Sequence, residues 1–347
     1  MQHDTSGISY EQLIQLINLE YDLGIVSVVF LPRGEEAFAY LATGADGRRH
    51  FVRMQESART ADLGIALRVA ARLRADCALE EVVAAYRNRR GSYTSYLGRY
   101  TVVLFPYVEG VSAWERPLTD EQVERAAAMM ARLHASLRCF AGPMPLRATF
   151  ANPFAAPIER VLEGCRRPVP LGKWQQRVRE LVLAEERAIR AGLERMRWME
   201  EQLRALDLDW VMTHGDPNRA NIIVAPDGGL HLIDWGEIAI GPRERDLFAF
   251  TGDHFRRFLR RYLDCDPAAR LHVPVFAFYE WRWTMQEIAD YTTRILFGNG
   301  SPAEQEYWWG ELRPYLPIPE SAMAARVEEI RQVIAAVERY DPSGERR

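Results

Sequence analysis

The chain has 347 residues, 48% of them hydrophobic, with a formal net charge of −4 and a pI near 6.1. That length predicts two domains or lobes rather than one small core, and the near balance of charge leaves no footprint for nucleic acid or an anionic membrane. No run of roughly eighteen apolar residues occurs, and the opening MQHDTSGISYEQ lacks basic and apolar signal regions, so a cytoplasmic chain without membrane contact is expected.

SYEQLIQLINLEY (9–21) sets Leu13, Ile14, Leu16 and Ile17 at helical spacing, with Ser9 as the candidate N-cap. IVSVVFL (25–31), AFAYLAT (37–43) and RHFVRMQ (49–55) are short β-prone segments, and GADG (44–47) turns the second into the third. A helix over about 60–75 follows, then EVVAAY (81–86) and YTVVLFPY (100–107) as two further strands. This predicts a five-stranded antiparallel sheet with one inserted helix, closing at the connection PYVEGVS (106–112). Beyond it the pattern is helical. Residues 119–137 form a helix with a Thr119/Gln122 capping box and Gly142-Pro143 beyond its end. Residues 175–206 carry one long stripe of Val178, Leu181, Ile189, Leu193, Met196, Met199 and Leu203, which favours a packed helix over a coiled-coil partner helix. Residues 275–296 form a further helix rich in aromatics. The four cysteines, Cys77, Cys139, Cys165 and Cys265, are scattered with no CxxC pair; this argues against a disulfide framework and fits a reducing cytosol.

Within the helical half, THGDPNRANIIVAPDGGLHLIDWG (213–236) is β-like. NIIV and LHLID read as strands joined by APDGG. If Val224 lies opposite Leu230, Asn221 lies nearly opposite Ile233 and one step from Asp234, and Asp216 enters the same end from the loop. Oxygen-bearing side chains at the mouth of a hairpin suit Mg²⁺, which takes one or two protein carboxylates, waters and phosphate oxygens. Two ligands and one remaining carboxylate make the arrangement that phosphoryl transfer needs, with the third group receiving a hydroxyl proton. The bland alternative is an acidic surface hairpin, and the D-x4-N loop running into two strands disfavours it. His214 reads as a loop-orienting member of the catalytic group. A zinc set of His214, His231 and His254 lacks ligand spacing.

HGDPNRAN followed by LIDWG resembles the aminoglycoside phosphotransferase family, and AFAYLA, LIDWGEIAIGPRERDLF and YEWRWTMQEIADY are most similar to spectinomycin-type members. The resemblance implies an α+β, bilobal, protein-kinase-like fold. Its N-terminal lobe (1–107) is a five-stranded antiparallel sheet with one helix that binds nucleotide, and its C-terminal lobe (108–347) is mainly helical with a catalytic hairpin. It implies Asp216 as catalytic base, Asn221 and Asp234 as Mg²⁺ ligands, ATP or GTP as donor, and Asp246 as a brace of the catalytic loop. LFPYVEG takes the place of the hinge, where the backbone of Pro106, Tyr107 and Val108 would bond the nucleotide base; LPRGEEAFAY takes that of the phosphate-covering loop, with Gly34 its one glycine. The third strand should offer the phosphates a lysine held by a helix carboxylate. Here that position is Arg53, the only lysine is Lys173, and the nearest acids are Glu56 and Asp62. An arginine fork is bulkier and aims differently. Either Arg53 does the lysine's work or nucleotide binding is impaired; the complete set Asp216, Asn221 and Asp234 favours activity.

For the acceptor, Glu237, Glu280, Glu287 and Asp290 offer negative charge to an ammonium group, and Trp281 and Trp283 offer a face to a ring or cation. The competing reading makes these residues helix surface and core. Residues 237–315 are nearly balanced in charge, which favours a small aminocyclitol over a highly cationic aminoglycoside and leaves a neutral sugar-like or nucleoside antibiotic as a further candidate. The expected function is a nucleotide-dependent O-phosphotransferase acting on a small antibiotic and conferring resistance or self-protection, as monomer or homodimer. The alternatives are a small-alcohol metabolic kinase (choline-, homoserine- or sugar-like) and a kinase-like binding protein without transfer.

Overall fold

The computed structural model describes residues 4–32, 37–59, 62–140, 144–167 and 172–338; Gly34, Gly142 and Pro143 lie outside them. The chain opens with α1 (Tyr10–Tyr21), β1 (Ile25–Leu31), β2 (Phe38–Gly44), β3 (Arg49–Glu56), α2 (Leu63–Asp76), β4 (Ser95–Leu97) and β5 (Tyr100–Pro106). The strands form one antiparallel sheet in the order β1-β2-β3-β5-β4. Successive side chains of a strand face opposite ways. Val52, Met54, Val102 and Leu104 therefore pack with Leu13, Ile17 and Tyr21 of α1. Phe51, Val103 and Phe105 pack on the other face with Leu63 and Leu67 of α2 and with Ile233. Arg53 stands opposite Val103 and shares that second face.

One predicted strand is corrected. Residues 81–86 do not join the sheet; Val82 makes an isolated parallel bridge to Leu232, and the fifth strand is β4. EVVAAY packs as a strand would, with Val83 and Ala85 against Val103 and Phe105 of the sheet, but its backbone bonds Leu232 and reaches the sheet through Tyr86 N to Leu104 O at 2.8 Å, and composition reports only burial.

The remaining elements are β6 (Val111–Ser112), α3 (Asp120–Ala135), α4 (Ala155–Arg166), α5 (Lys173–Ala184), α6 (Glu186–Arg204), β7 (Trp210–Thr213), β8 (Ile222–Val224), β9 (Leu230–Leu232), β10 (Ala239–Pro242), α7 (Glu244–Leu247), α8 (Phe255–Cys265), α9 (Val273–Phe297), α10 (Pro302–Leu312) and α11 (Glu320–Glu338). Thr119 caps α3 as its spacing predicts: Gln122 N donates to the threonine hydroxyl at 3.3 Å and Thr119 N to the glutamine side chain at 3.0 Å. Ser9 holds the N-cap position of α1 without a side-chain bond. The stripe over 175–206 is divided between α5 and α6 at Glu185. Its residues pack inside the chain, since α5 and α6 both contact α9.

Two compact units emerge. The first holds residues 1–148, 210–250 and 260–268, and the second 149–209, 251–259 and 269–347. In the second, α9 is the central element, packed by α4, α5, α6, α10 and α11. The first contains the sheet, α3 and both small sheets, β7 with β10 and β6-β8-β9. It also contains a Cys77–Cys139 disulfide, against expectation. The two cysteines are 62 residues apart, a pairing that spacing motifs do not register; one caps α2 and the other ends the 3₁₀ turn after α3. Among the described residues no helix is long and apolar enough to cross a membrane.

Candidate active site

The site grows from the β8–β9 hairpin. Its turn closes with Ala225 N donating to Gly229 O at 2.9 Å, which sets Val224 opposite Leu230 and Ile222 opposite Leu232. These four side chains are buried, so one face of the hairpin is fixed in the core and its register cannot slip. The ladder continues one step, with Ile233 N donating to Asn221 O at 3.0 Å. Asn221 and the residue after Ile233 thus stand at one end, as the register predicts. That residue, Asp234, has left-handed backbone at φ 61°, a region that Asp tolerates better than most side chains and that turns its carboxylate out of the strand.

The other side is the loop after β7. His214 N and Gly215 N donate to the two oxygens of the buried Asp246 carboxylate at 2.8 and 2.7 Å. Asp216 N donates to His214 Nδ1 at 3.2 Å, so Nε2 carries the hydrogen that reaches Ile233 O at 2.9 Å. Complete burial drives His214 below its ordinary pKa, and it acts as a neutral staple between the loop and the strand leading to Asp234. Gly215 is required: its φ is 98°, and a Cβ there would run into the guanidinium of Arg245.

Asp216 is held twice. Asn218 Nδ2 donates to one carboxylate oxygen at 2.8 Å and Asn221 Nδ2 to the other at 3.1 Å. Burial pushes the Asp216 carboxyl up, opposed by the Asn218 bond and the nearby His214 and reinforced by the charges of Asp234 and Glu237. Asn221 Nδ2 also donates to Asp216 O at 2.8 Å. With its nitrogen committed to Asp216, Asn221 has its carbonyl oxygen left as the atom that could meet a cation.

Behind the loop, His134 of α3 donates through Nε2 to Asp246 at 3.2 Å and accepts through Nδ1 from the Tyr262 hydroxyl at 2.7 Å. Arg243 donates to that hydroxyl at 2.6 Å and to Asp266 at 2.8 Å. Burial alone would raise the Asp246 carboxyl; the hydrogen bond from His134, with the neighbouring imidazoles and the Arg245 guanidinium, holds it below the usual range. Arg245 bonds Thr213 Oγ1 at 2.8 Å and reaches Glu237 at 3.4 Å, while the Glu237 side chain stays 66% exposed. Asn218, His134 and Arg245 were not singled out from the sequence. The D-P-N spacing was a signal for the first; a lone His on an apolar helix face and an Arg in a charged turn are none.

Arg53 forms an ion pair with Asp234. The other acids considered for it are engaged differently: Glu56 pairs with Arg99 at 3.6 Å, and Asp62 is the exposed N-cap residue of α2. In the segment 106–108, Tyr107 N donates to Arg49 O at 3.3 Å, the Arg49 guanidinium lies 4.6 Å from the Tyr107 ring centroid, and Val108 packs beside Phe105.

The first unit therefore gathers Arg53, His214, Asp216, Asn221, Asp234 and Glu237. Glu280, Trp281, Glu287 and Asp290 belong to α9 in the second. There Glu280 is 6% exposed and its carboxylate accepts Arg326 Nε at 2.8 Å, so the chain itself supplies its cation. Trp281 lies against Gly192 of α6, and Trp283 donates to Tyr315 at 3.0 Å. Glu287 and Asp290 are half-buried, on the helix face of Trp283 at spacings of four and seven.

Among the described residues no group of three or more His, Cys, Asp or Glu side chains is arranged to hold a metal. Asn221 and Asp234, the ligands that the resemblance implies, stand at one end of the hairpin.

Residues 27–264 match the model of the phosphotransferase enzyme family. Protein StrN of Streptomyces griseus is 30% identical over 256 residues, 70% of this chain and 73% of that protein. The spectinomycin phosphotransferase complex with ADP and spectinomycin is similar in structure at a TM-score of 0.72 and 17% identity, covering 89% of this chain and 94% of that one. The microcompartment-associated aminopropanol kinase is similar at 0.60 and 16% identity, covering 92% and 99%. These two likenesses establish the kinase-like fold.

Proposed function

We propose that this chain, which belongs to the phosphotransferase enzyme family, moves the γ-phosphate of ATP or GTP to a hydroxyl of a small polar antibiotic. The observation that carries the reading is the Asp216 carboxylate, gripped by Asn218 and Asn221 at the hairpin end that also bears Asp234. A carboxylate so oriented, with its pKa pushed up by burial, suits receipt of a proton from an attacking hydroxyl. Asn221 and Asp234 would hold Mg²⁺, which supplies charge neutralisation and alignment of the nucleotide phosphates. Arg53 offers a cation to the same phosphates, and 106–108 the backbone for the base. His214 and Asp246 fix the loop, and a fixed base has no reorganisation to undergo at the moment of transfer.

For the acceptor, Glu237 is the proposed carboxylate of the first unit, because it stays 66% exposed beside its 3.4 Å contact with Arg245. Of the α9 candidates, Glu280 already accepts from Arg326, and Trp281, Glu287 and Asp290 stand as proposed contacts on the sequence reading alone. The spectinomycin phosphotransferase likeness supports an aminocyclitol-type antibiotic. The aminopropanol kinase likeness supports the second reading, a small-alcohol kinase, through the same machinery. A transfer screen with ATP and GTP over aminocyclitols, aminoglycosides, nucleoside antibiotics and small amino alcohols separates the two. Transfer to an antibiotic supports the first reading; transfer confined to small alcohols replaces it with the second. Absence of nucleotide binding, measured by calorimetry with Mg²⁺, would remove both.

A further inference from the structure

The Arg53–Asp234 pair joins two groups that the proposed function assigns to different partners, the guanidinium to nucleotide phosphate and the carboxylate to metal. The inference below rests on that reading. The helix on Arg53's face of the sheet, α2, has no acid until Asp76, which accepts from Arg72 at 2.7 Å. Glu56 is taken up by Arg99, and Asp62 heads the helix exposed. Among the described residues Asp234 is therefore the carboxylate to which Arg53 is tied. On the other side of the pair, the metal has little else: Asn221 is neutral, so Asp234 is the charged member of the two proposed ligands. The pair is not deeply buried, at 21% exposure for Arg53 and 41% for Asp234, so it can open.

We propose that Arg53 is an exchangeable counter-cation of Asp234. In the nucleotide-free protein the guanidinium holds the carboxylate that a divalent cation would take, and the metal site opens when nucleotide phosphate draws Arg53 away. Arginine suits the exchange, because its planar fork matches carboxylate and phosphate alike. It is also permanently charged, so the competition cannot be relieved by losing a proton. A divalent cation and a guanidinium crowded onto one carboxylate repel each other; phosphate oxygens supply the negative charge that lets both stay. By linkage, metal and nucleotide then strengthen each other's binding.

The test titrates Mn²⁺ alone into nucleotide-free protein and follows the loss of the free aquo-ion signal by electron paramagnetic resonance. Wild type is compared with Arg53→Met and Arg53→Gln, each first shown to melt cooperatively, and with Asp234→Asn in both backgrounds. Two replacements of different polarity guard against one failing to fold. The expected result is Mn²⁺ binding at least about fivefold tighter without the guanidinium, the lower end of ordinary site-to-site coupling, and lost with Asp234→Asn. Equal affinity in wild type and the Arg53 variants, still dependent on Asp234, overturns the exchange and leaves the metal site standing. Mn²⁺ binding indifferent to Asp234→Asn overturns the metal reading of the site itself, and the exchange with it.

Discussion

Asp216 is oriented by two asparagines that act differently. Asn218 Nδ2 bonds only the carboxylate, whereas Asn221 Nδ2 bonds both the carboxylate and the backbone carbonyl of Asp216. A hydrogen bond to a charged group is worth about 1.5–3 kcal/mol. Asn218→Ala is accordingly expected to lower kcat by roughly tenfold or more while leaving KM for the nucleotide little changed. Steady-state kinetics at varied nucleotide checks it; an effect confined to KM would place Asn218 in binding instead. At this scale the sequence was informative where backbone geometry dictated the outcome. Asn221 and Asp234 could be brought together on paper because a strand has period two and the Asp-Gly turn sets the register. Asn218 was hidden in a loop, where no period applies. The Arg53–Asp234 pair was hidden for another reason: the two residues are 181 positions apart, and only the sheet and hairpin together bring them within reach.

Among the elements, α7 and α3 hold the loop rather than form it. Asp246, itself fully buried, satisfies two amides at the start of the Asp216 loop and receives His134 from α3. Asp246→Asn keeps the shape but removes the charge and turns one acceptor into a donor facing an N–H. It should cost about 1–3 kcal/mol of unfolding free energy, the ordinary penalty for a buried group left unsatisfied, and lower kcat as well. Urea unfolding and kinetics on the same sample check this; unchanged kcat with lowered stability would show that the brace does not position Asp216. The capping box of α3 was legible because its signals are local. The misassigned strand at 81–86 and the break at Glu185 were not. Both depend on what the segment packs against, and an apolar run reads alike in either setting. The Cys77–Cys139 bridge depends on the fold in the same way.

For the whole molecule, pH acts through histidines kept neutral by burial. His50, His214 and His231 all lie below their ordinary pKa, with burial the leading cause in each. The unfolded chain binds protons to these groups below about pH 6.5, while the folded chain does not. Their contribution to stability is therefore complete above that value and is lost progressively as pH falls through it toward the folded-state pKa values. The melting temperature should drop between pH 7.5 and 5.5, and less steeply in His50→Gln, whose parent ring has a buried Nδ1 without a hydrogen-bond partner. An identical pH slope in that variant would remove His50 from the account. The sheet-then-helix order was legible from patterning along the chain, whereas each compact unit is assembled from separated stretches of chain, which no local pattern registers.

The central claim is that Asp216 receives the acceptor proton during phosphoryl transfer. The most direct measurement is the turnover of phosphate transfer by wild type and Asp216→Asn on whichever acceptor the screen identifies, with nucleotide affinity measured on both. The account predicts a loss of roughly a hundredfold or more in kcat with nucleotide affinity retained. Turnover within a fewfold of wild type, at unchanged nucleotide affinity, would contradict it.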